Sequence, residues 1–307
     1  MSLIFLSRDP GGARQMIGLY RVLTESPAEF AADPGLNALR ARLGQWDGIR
    51  VFARDFAVPV WRLAGIPVEE FGGGAQTWNA NDRLLTATSD FDDGTPQQAW
   101  RTARAAGCPS HGFVDCESNV ANRFRDRSGA LSTPDYVYVP NAHCLPGLNG
   151  VVPPDRITLI PDLIPWLSRH DLADATEGAG RLRRTWLQGG ERPVLMFVSE
   201  NVSEMAALGR ASPYSEFDCL ERLLACLRGE QAIAGIDRRD WHVVIRPHPK
   251  EAPGKFDAYR GQAVVSREGS SAQAILAADL IVGMRSTLLR EAADAGKPVV
   301  SLVEDAP

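Results

Sequence analysis

Residues 278–298 read Ala-Asp-Leu-Ile-Val-Gly-Met-Arg-Ser-Thr-Leu-Leu-Arg-Glu-Ala-Ala-Asp-Ala-Gly-Lys-Pro, and this stretch combines short apolar runs with a helical pattern. The apolar run Leu280–Val282 predicts a buried strand, and Thr287–Ala295 has the residue spacing of a helix, which ends at Gly296. A second apolar run, Pro298–Leu302, follows directly. A strand, a helix and another strand in this order are typical of a βαβ unit in a parallel sheet.

Short apolar runs alternate with helical patterns along most of the 307 residues. Before residue 170, strands are predicted at Leu3–Leu6, Ile49–Ala53, Pro67–Phe71, Leu84–Thr88, Gly112–Asp115, Tyr136–Val139 and Arg156–Ile160. After residue 193, further strands are predicted at Val194–Val198, Trp241–Ile245 and Ala263–Val265. Residues 171–192 are instead rich in Gly, Arg, Asp and Glu. We therefore predict an α/β protein with two Rossmann-like domains that face a cleft, residues 1–170 and 193–307, with an interdomain crossing at 171–192.

The composition excludes several classes of protein. Hydrophobic residues make up 44% of the chain and charged residues 23%, which is ordinary for a globular protein. With 33 Lys and Arg against 38 Asp and Glu, the net charge of −5 provides no large cationic field for nucleic acid. No apolar run approaches the ~20 residues that span a bilayer, so we expect a cytoplasmic protein without a signal peptide or an integral membrane segment. The cysteines and histidines are dispersed without metal-ligand spacing, and we expect neither a metal site nor a cofactor.

The helix start in the opening stretch is suited to a phosphate group. Ser286 and Thr287 can offer hydroxyl groups and backbone amides, and Arg285 adds a positive charge. Glu291 lies one turn beyond Thr287 on the same helix face, where its carboxylate could accept two ribose hydroxyls. The alternative is that Ser286 only caps the helix and that Glu291 is a solvated residue. Residues 278–298 closely resemble the donor-binding segment of GT-B glycosyltransferases, which implies that this group of residues binds the donor.

A second motif, Arg246-Pro247-His248-Pro249-Lys250, follows the predicted strand Trp241–Ile245. Each proline fixes φ and removes a backbone donor, so the pair holds His248 rigidly at the carboxyl end of the strand. Arg246 and Lys250 provide positive charge for an anion, although a simple turn with a satisfied histidine is the alternative. The motif resembles the His-Pro motif of bacterial sialyltransferases and CDP-glycerol glycerophosphotransferases, and the strand-end histidine of non-hydrolysing UDP-GlcNAc 2-epimerases. This resemblance implies that His248 contacts the phosphate or the nucleotide of the donor.

A glycine turn follows the first predicted strand. Gly11 and Gly12 lie in the segment Asp9–Arg14, before a helix predicted to begin at Arg14. Glycines at such a turn, with the arginine beside them, allow close approach of a phosphate or an acceptor molecule. They are also common where only the turn geometry requires them.

Two acidic segments could supply a catalytic carboxylate. The loop 90–94, which contains Asp93, resembles the Asp/Glu-Asp/Glu-Gly motif of bacterial sialyltransferases. In that family an acidic residue of the motif acts as a general base. Asp115 and Glu117 follow a predicted strand, and with Arg123 they resemble a D-x-x-x-N-x-x-x-R-F pattern of epimerase-like and polysaccharide-biosynthesis proteins. Both segments could also be solvated acidic turns. The His-Val-Glu-Ala-Gly-Leu-Arg motif of the 2-epimerases is absent from the sequence.

Together these resemblances imply a metal-independent glycosyltransferase for surface polysaccharide or glycan biosynthesis. The second domain would bind a UDP- or CMP-linked sugar donor, and the first would bind a glycan or small acceptor. Asp115, or else Asp93, would be the general base. The alternatives are a UDP-GlcNAc 2-epimerase-like enzyme, in which Asp115 or Glu117 moves the proton on sugar carbon 2, and a catalytically idle protein that binds sugar nucleotides. The resemblance also allows a homodimer.

Overall fold

The computed structural model describes residues 1–303 apart from 73–77, 90–93, 118, 127, 208, 210 and 211. Contacts between residues divide the chain into two units, Met1–Leu167 and Ser168–Pro307. Each unit contains a parallel sheet with helices packed against it. The predicted α/β class with two Rossmann-like domains is therefore confirmed.

The first unit is built on a parallel sheet with the strand order β3-β2-β1-β4-β5-β6-β7. Its strands are β1 Ser2–Ser7, β2 Gly48–Ala53, β3 Glu69–Glu70, β4 Arg83–Ala87, β5 Ser110–Phe113, β6 Tyr136–Val139 and β7 Ile157–Leu159. Its α-helices are α1 Pro10–Glu25, α2 Pro34–Leu43, α3 Ala57–Leu63, α4 Thr95–Ala105 and the start of α5 Leu163–Asp174. Short 3₁₀ helices lie at Ala28–Phe30, Val120–Phe124, Ala142–Cys144, Pro146–Leu148 and Pro154–Arg156. Alternate residues of β1 pack into separate cores on the two faces of the sheet, as a buried parallel strand requires.

The second unit has a smaller parallel sheet with the strand order β10-β9-β8-β11-β12. Its strands are β8 Val194–Val198, β9 His242–Arg246, β10 Val264–Val265, β11 Leu280–Gly283 and β12 Val299–Ser301. Its further helices are α6 Thr176–Leu187, α7 Val202–Ala207, α8 Glu216–Arg228, α9 Ser271–Ala277 and α10 Thr287–Asp294, with a 3₁₀ helix at Asp257–Tyr259. Cores of apolar side chains cover both faces of this sheet as well.

Both sheets contain a point at which the strand order reverses. In the first unit β1 pairs with β2 on one side and with β4 on the other. In the second unit β8 likewise pairs with both β9 and β11. Ligands of doubly wound sheets bind outside the carboxyl ends of the strands at such a switch point. The segments that follow β1, β4, β8 and β11 are therefore the expected positions for a site.

The first helix begins earlier than the sequence-based prediction. Helix α1 starts at Pro10, so Gly11 and Gly12 lie in its first turn and not in a separate loop before it. Proline is well suited to the first helical position, because its φ is already helical and its missing N–H group would have no partner there. The glycines therefore place the helix start close to the sheet.

Three helices are missing from the sequence-based prediction, α2, α5 and α7. Helix α2 carries a recognisable start signal, because Asp33 accepts the backbone N–H of Leu36 at 2.8 Å and Pro34 is the first helical residue. Helix α5 spans the division between the units at Leu167.

The segment 171–192, predicted as an interdomain crossing, is largely helical. It contains the end of α5 and the whole of α6, which belongs to the second unit. The apolar face of α6 packs within the second unit, where Leu182 and Trp186 share a core with Ile275 of α9 and Met196 of β8. Charged residues on the other face of the helix give the segment its polar composition.

Helix α2 approaches the last strand of the first sheet so closely that only glycine fits at position 35. A Cβ atom on Gly35 would lie 1.9 Å from the carbonyl oxygen of Leu159. We predict that Gly35→Ala lowers the free energy of unfolding by about 1–3 kcal/mol, because the backbone of β7 or the helix must shift. Urea denaturation measures this change.

Gly180→Ala on α6 is the matched control, because a Cβ there would come no closer than 3.6 Å to another group, the Arg184 side chain. Alanine is the better helix former, so this variant should gain about 0.5–1 kcal/mol. Equal stability of the two variants would contradict the packing of α2 on β7.

Candidate functional site

The turn after β11 contains the predicted donor-binding residues of the second unit. Ser286 is the N-cap of α10, and its Oγ accepts the backbone N–H of Leu289 at 3.2 Å. Arg285 and Thr287 are exposed on either side of it, whereas Glu291, one turn into the helix, is buried. Ser286 therefore caps the helix, and the helix start lies at the switch point of the sheet.

A carboxylate already lies on the backbone amides of this turn. Glu200 follows β8, the neighbour of β11, and its side chain accepts the N–H groups of Arg285 and Ser286. Burial raises the pKa of Glu200, although the two amides act in the opposite direction. Sequence reasoning missed Glu200, whose signal is its position directly beyond a buried strand.

His248 lies beyond the end of β9, on the other side of β8. Its backbone N–H donates to Glu251 Oε2 at 2.6 Å, and its Nδ1 accepts the backbone N–H of Lys250 at 3.1 Å. Because Nδ1 is an acceptor, the neutral ring carries its proton on Nε2. A half-buried ring in this tautomer can donate a hydrogen bond to an anion.

Glu251 connects the segments around His248. It is 3% exposed, and its Oε1 accepts hydrogen bonds from Ser199 Oγ at 2.7 Å and Lys255 Nζ at 2.9 Å. Ser199 follows β8, so one carboxylate joins the ends of two neighbouring strands. Sequence reasoning missed this residue too, since a glutamate three residues after a histidine carries no distinctive pattern.

Lys255 lies among three carboxylates. Its ammonium contacts Glu204 at 2.7 Å, Glu251 and the fully buried Glu216. Burial alone would lower the pKa of Lys255, but hydrogen bonds to the three glutamates raise it. Burial alone would likewise raise the pKa of Glu216, but hydrogen bonds from Lys255 and Ser203 lower it. The carboxylate oxygens lie within 4.8 Å of one another, a spacing that could hold a metal ion, and the ammonium lies among them here.

The two cations of the His-Pro motif, Arg246 and Lys250, have different partners. Both terminal nitrogens of Arg246 donate to backbone carbonyls, those of Glu268 and Gly269. Burial lowers the pKa of Arg246 to about 10. Arg246 therefore fixes the loop before α9, while Lys250 reaches His248 through its backbone amide.

In the first unit, Asp115 lies just beyond β5 and forms an ion pair with Arg123. Arg123 is 5% exposed and also donates to Thr88 Oγ1, which follows β4, at 3.3 Å and to Cys116 Sγ at 2.7 Å. A Cβ on Gly11 would lie 3.0 Å from Asp115 Oδ2. The carboxyl edge of this sheet thus brings the predicted Gly11 and Asp115 together, and Arg123 connects Asp115 to the end of β4.

The remaining predicted residues of the first unit lie around this edge or beyond the described part. Gly12 packs against β4, where an added Cβ would lie 2.6 Å from Ala87 Cβ, and the half-buried Arg14 is in the same turn of α1. Glu117 is exposed and accepts a hydrogen bond from Asn141 Nδ2 at 2.7 Å. Asp93 lies outside the described residues.

No protein-family model matches this sequence, and a comparison with curated proteins gives no match. Solved structures do match. The UDP-GlcNAc 2-epimerase from Methanocaldococcus jannaschii, in complex with UDP-GlcNAc and UDP, matches with a TM-score of 0.61 at 11% identity over 98% of this chain and 84% of that chain. The UDP-GlcNAc 2-epimerase from Neisseria meningitidis, bound to UDP-GlcNAc, matches with a TM-score of 0.53 at 12% identity over 98% and 82%.

The wall teichoic acid polymerase TagF also matches, at 12% identity over 97% of this chain and 69% of that chain. Its TM-score is 0.47, which is too low to support an argument. At these identities the likeness to the epimerases concerns the fold alone, and the chain has the GT-B type of fold expected from its sequence. Among the described residues, no helix is both long and apolar enough to cross a membrane.

The buried Lys255 cluster yields a prediction about stability and pH. Lys255→Met leaves the buried carboxylates of Glu216 and Glu251, and the partly exposed one of Glu204, without their cation, so we predict a loss of about 3–5 kcal/mol in the free energy of unfolding at neutral pH. Without the ammonium, burial raises the pKa of Glu216 above that of the same group in the unfolded chain. The folded variant then binds more protons than the unfolded one, and its stability increases on acidification from about pH 7 to about pH 5.

The wild-type protein should keep the contribution of Glu216 over this range and lose it only at lower pH. The lowered pKa of Glu216 contributes stability that is present above the ordinary glutamate pKa of 4.5 and is lost as the pH falls through the lowered value. Lys297→Met is the control, because the Lys297 ammonium donates to the carbonyls of Leu276 and Ala278 and not to a carboxylate cluster. Denaturation of the three proteins across this pH range tests the cluster, and a Lys255→Met profile parallel to wild type would contradict it.

Proposed function

We propose that this protein is a glycosyltransferase that uses a UDP- or CMP-linked sugar donor and needs no metal ion. The observation that carries the proposal is the carboxylate on the amides of Arg285 and Ser286. It supports an anion site at the switch point of the second sheet, where ligands of such sheets bind. A phosphate of the donor would take the same position.

The groups around this point suit a leaving nucleotide phosphate. The N-terminus of α10 contributes partial positive charge, Arg285 a full charge and His248 an Nε2–H donor. Such fixed donors stabilise the charge that develops on a leaving phosphate, which is the role a metal ion has in other transferases. We assign Glu291 to the ribose hydroxyls, as a carboxylate one turn into the same helix.

We assign the acceptor to the carboxyl edge of the first sheet. Gly11 leaves room beside Asp115, whose carboxylate would orient the acceptor hydroxyl and take its proton. Arg123 holds that carboxylate in place. The hydroxyl becomes more acidic as its bond to the sugar forms, so a carboxylate paired with arginine is a sufficient base. A glycan or small acceptor of a surface-polysaccharide pathway fits this assignment.

A UDP-GlcNAc 2-epimerase-like activity is the second candidate. It is favoured by the fold likeness to two epimerases whose structures contain UDP-GlcNAc. In that reaction Asp115 or Glu117 would remove the proton from sugar carbon 2. Removal of a proton from carbon requires a stronger base than removal from a hydroxyl, and Asp115 is held in an ion pair. The transferase is therefore the better fit.

Two assays distinguish these functions. Thermal unfolding with UDP, CMP, CDP, GDP and their sugars identifies the nucleotide, because a ligand of the folded state raises its stability. Incubation with UDP-GlcNAc and no acceptor then separates the activities. Only an epimerase produces a new sugar nucleotide under these conditions, and a transferase needs an acceptor. Binding without turnover of any donor, with a panel of acceptors, would indicate an idle sugar-nucleotide-binding protein.

Substitutions test the division of roles between the two units. We predict that His248→Ala and Glu291→Ala each weaken nucleotide binding by about 1–3 kcal/mol, the usual cost of losing a hydrogen-bond partner of a charged or buried group. Asp115→Asn should leave nucleotide affinity nearly unchanged while turnover falls by about 10² or more. Calorimetry and initial-rate measurements give these values.

His170→Ala, at an exposed position on α5, is the matched control for the histidine and should behave as wild type. Melting temperatures of the unliganded variants are needed as well, because Asp115→Asn disturbs a buried ion pair and could reduce turnover through instability. Loss of nucleotide binding in Asp115→Asn, with binding intact in Glu291→Ala, would place the donor in the first unit and contradict the assignment.

A further inference from the structure

Glu200 occupies the position that the proposed function gives to a phosphate of the donor. Strands β8 and β11 pair in parallel, with Val198 beside Gly283. Glu200 and Arg285 each lie two residues beyond this pair, so the carboxylate reaches the facing amides from the neighbouring strand end. A Cβ on Gly283 would lie 3.0 Å from the carbonyl oxygen of Val198, so the two strand ends are in close contact here.

The carboxylate and a phosphate would compete for the same donors. Glu200 accepts the N–H groups of both Arg285 and Ser286, and each N–H can be satisfied by one anion at a time. Two anions within a few ångströms also repel each other strongly in a partly buried place. A phosphate can therefore take these amides only if the carboxylate leaves them or loses its charge.

We propose that Glu200 is an intramolecular occupant of the phosphate site, and that a nucleotide binds by displacing this carboxylate from the amides of Arg285 and Ser286. This inference rests on the proposed function, because it assumes that the donor phosphate uses these amides. In the unliganded protein, the carboxylate of Glu200 would occupy the phosphate site. Because the carboxylate must first be displaced, nucleotides bind with lower affinity than they would to an empty site. Anions that bind weakly cannot displace it.

The surroundings of Glu200 give the displacement a pH dependence. Arg285 faces it from the turn itself, Tyr214 from the segment before α8, Cys219 from α8 and Glu251 from the segment after β9. Of these groups only Arg285 is a cation, and it is exposed to solvent. Burial raises the pKa of Glu200, so its charge is lost at a higher pH than that of an ordinary glutamate. A neutral carboxyl competes less with a phosphate, and nucleotide affinity should rise as the pH falls.

The test compares Glu200→Gln and Glu200→Ala with wild type by calorimetric titration with UDP-GlcNAc from about pH 8 to about pH 5. Both phosphates of this probe are diesters, so its charge is constant over the range. We expect both variants to bind at least about tenfold more tightly than wild type at the upper pH. The difference should shrink as the pH falls, because protonation gives wild type the same uncharged side chain. Any contribution from His248 is common to the three proteins.

Inorganic pyrophosphate at one fixed pH serves as a second probe that is independent of the base and sugar. Glu230→Gln is the matched control, because Glu230 is exposed and bonded to Arg228, and it should bind both probes as wild type does. Melting temperatures show whether each variant is folded, and Glu200→Gln retains the size of the side chain if Glu200→Ala does not fold.

The outcomes separate this inference from the proposed function. If wild type binds a probe and the folded Glu200→Gln variant binds it with equal or lower affinity, the inference alone is overturned. Glu200 would then be a structural cap of the turn. The same affinity difference at both ends of the pH range would also overturn it. No binding of either probe by any of the proteins would overturn the phosphate site itself, and the inference with it.

Discussion

The parallel pairing of β8 with β11 is the constraint on which the rest of the second unit depends. Both strands are apolar and buried on both faces, so polar groups can meet only where the strands end. The register that places Val198 beside Gly283 brings Glu200 to the amides of the next turn. Glycine at position 283 permits this approach, because a side chain there would meet the backbone of β8. The position of the proposed anion site thus follows from how two strands pair.

The acidic side chains at the carboxyl edges of the two sheets are neutralised by different groups. In the second unit, the acidic side chains near the site are neutralised by backbone amides at Glu200 and by one ammonium at Lys255. In the first unit, Asp115 is neutralised by the guanidinium of Arg123. Buried ionic groups of this kind add little net stability, because desolvation offsets most of their attraction. Their retention at strand ends fits groups that must be held in fixed positions for a ligand.

The fold alone does not decide the reaction. The same pair of Rossmann-like units occurs in the UDP-GlcNAc 2-epimerases that this chain resembles in structure, and a fold can host more than one chemistry. The transferase proposal depends instead on particular side chains. His248 accepts a backbone N–H at Nδ1, so its neutral ring carries the proton on Nε2, and Asp115 is paired with arginine. These details suit a leaving phosphate and an acceptor hydroxyl.

The fold class and the positions of most strands could be predicted from the sequence, because buried parallel strands are continuous apolar runs. Tyr136–Val139 and Val194–Val198 have the predicted bounds, and the prolines around His248 mark the end of β9. Only the tertiary structure revealed the partners of the candidate site. Glu200 and Arg285 are 85 residues apart in sequence, and Lys255 and Glu204 are 51 apart. Strand order brings such pairs together, and no local pattern of residues records which strand ends become neighbours.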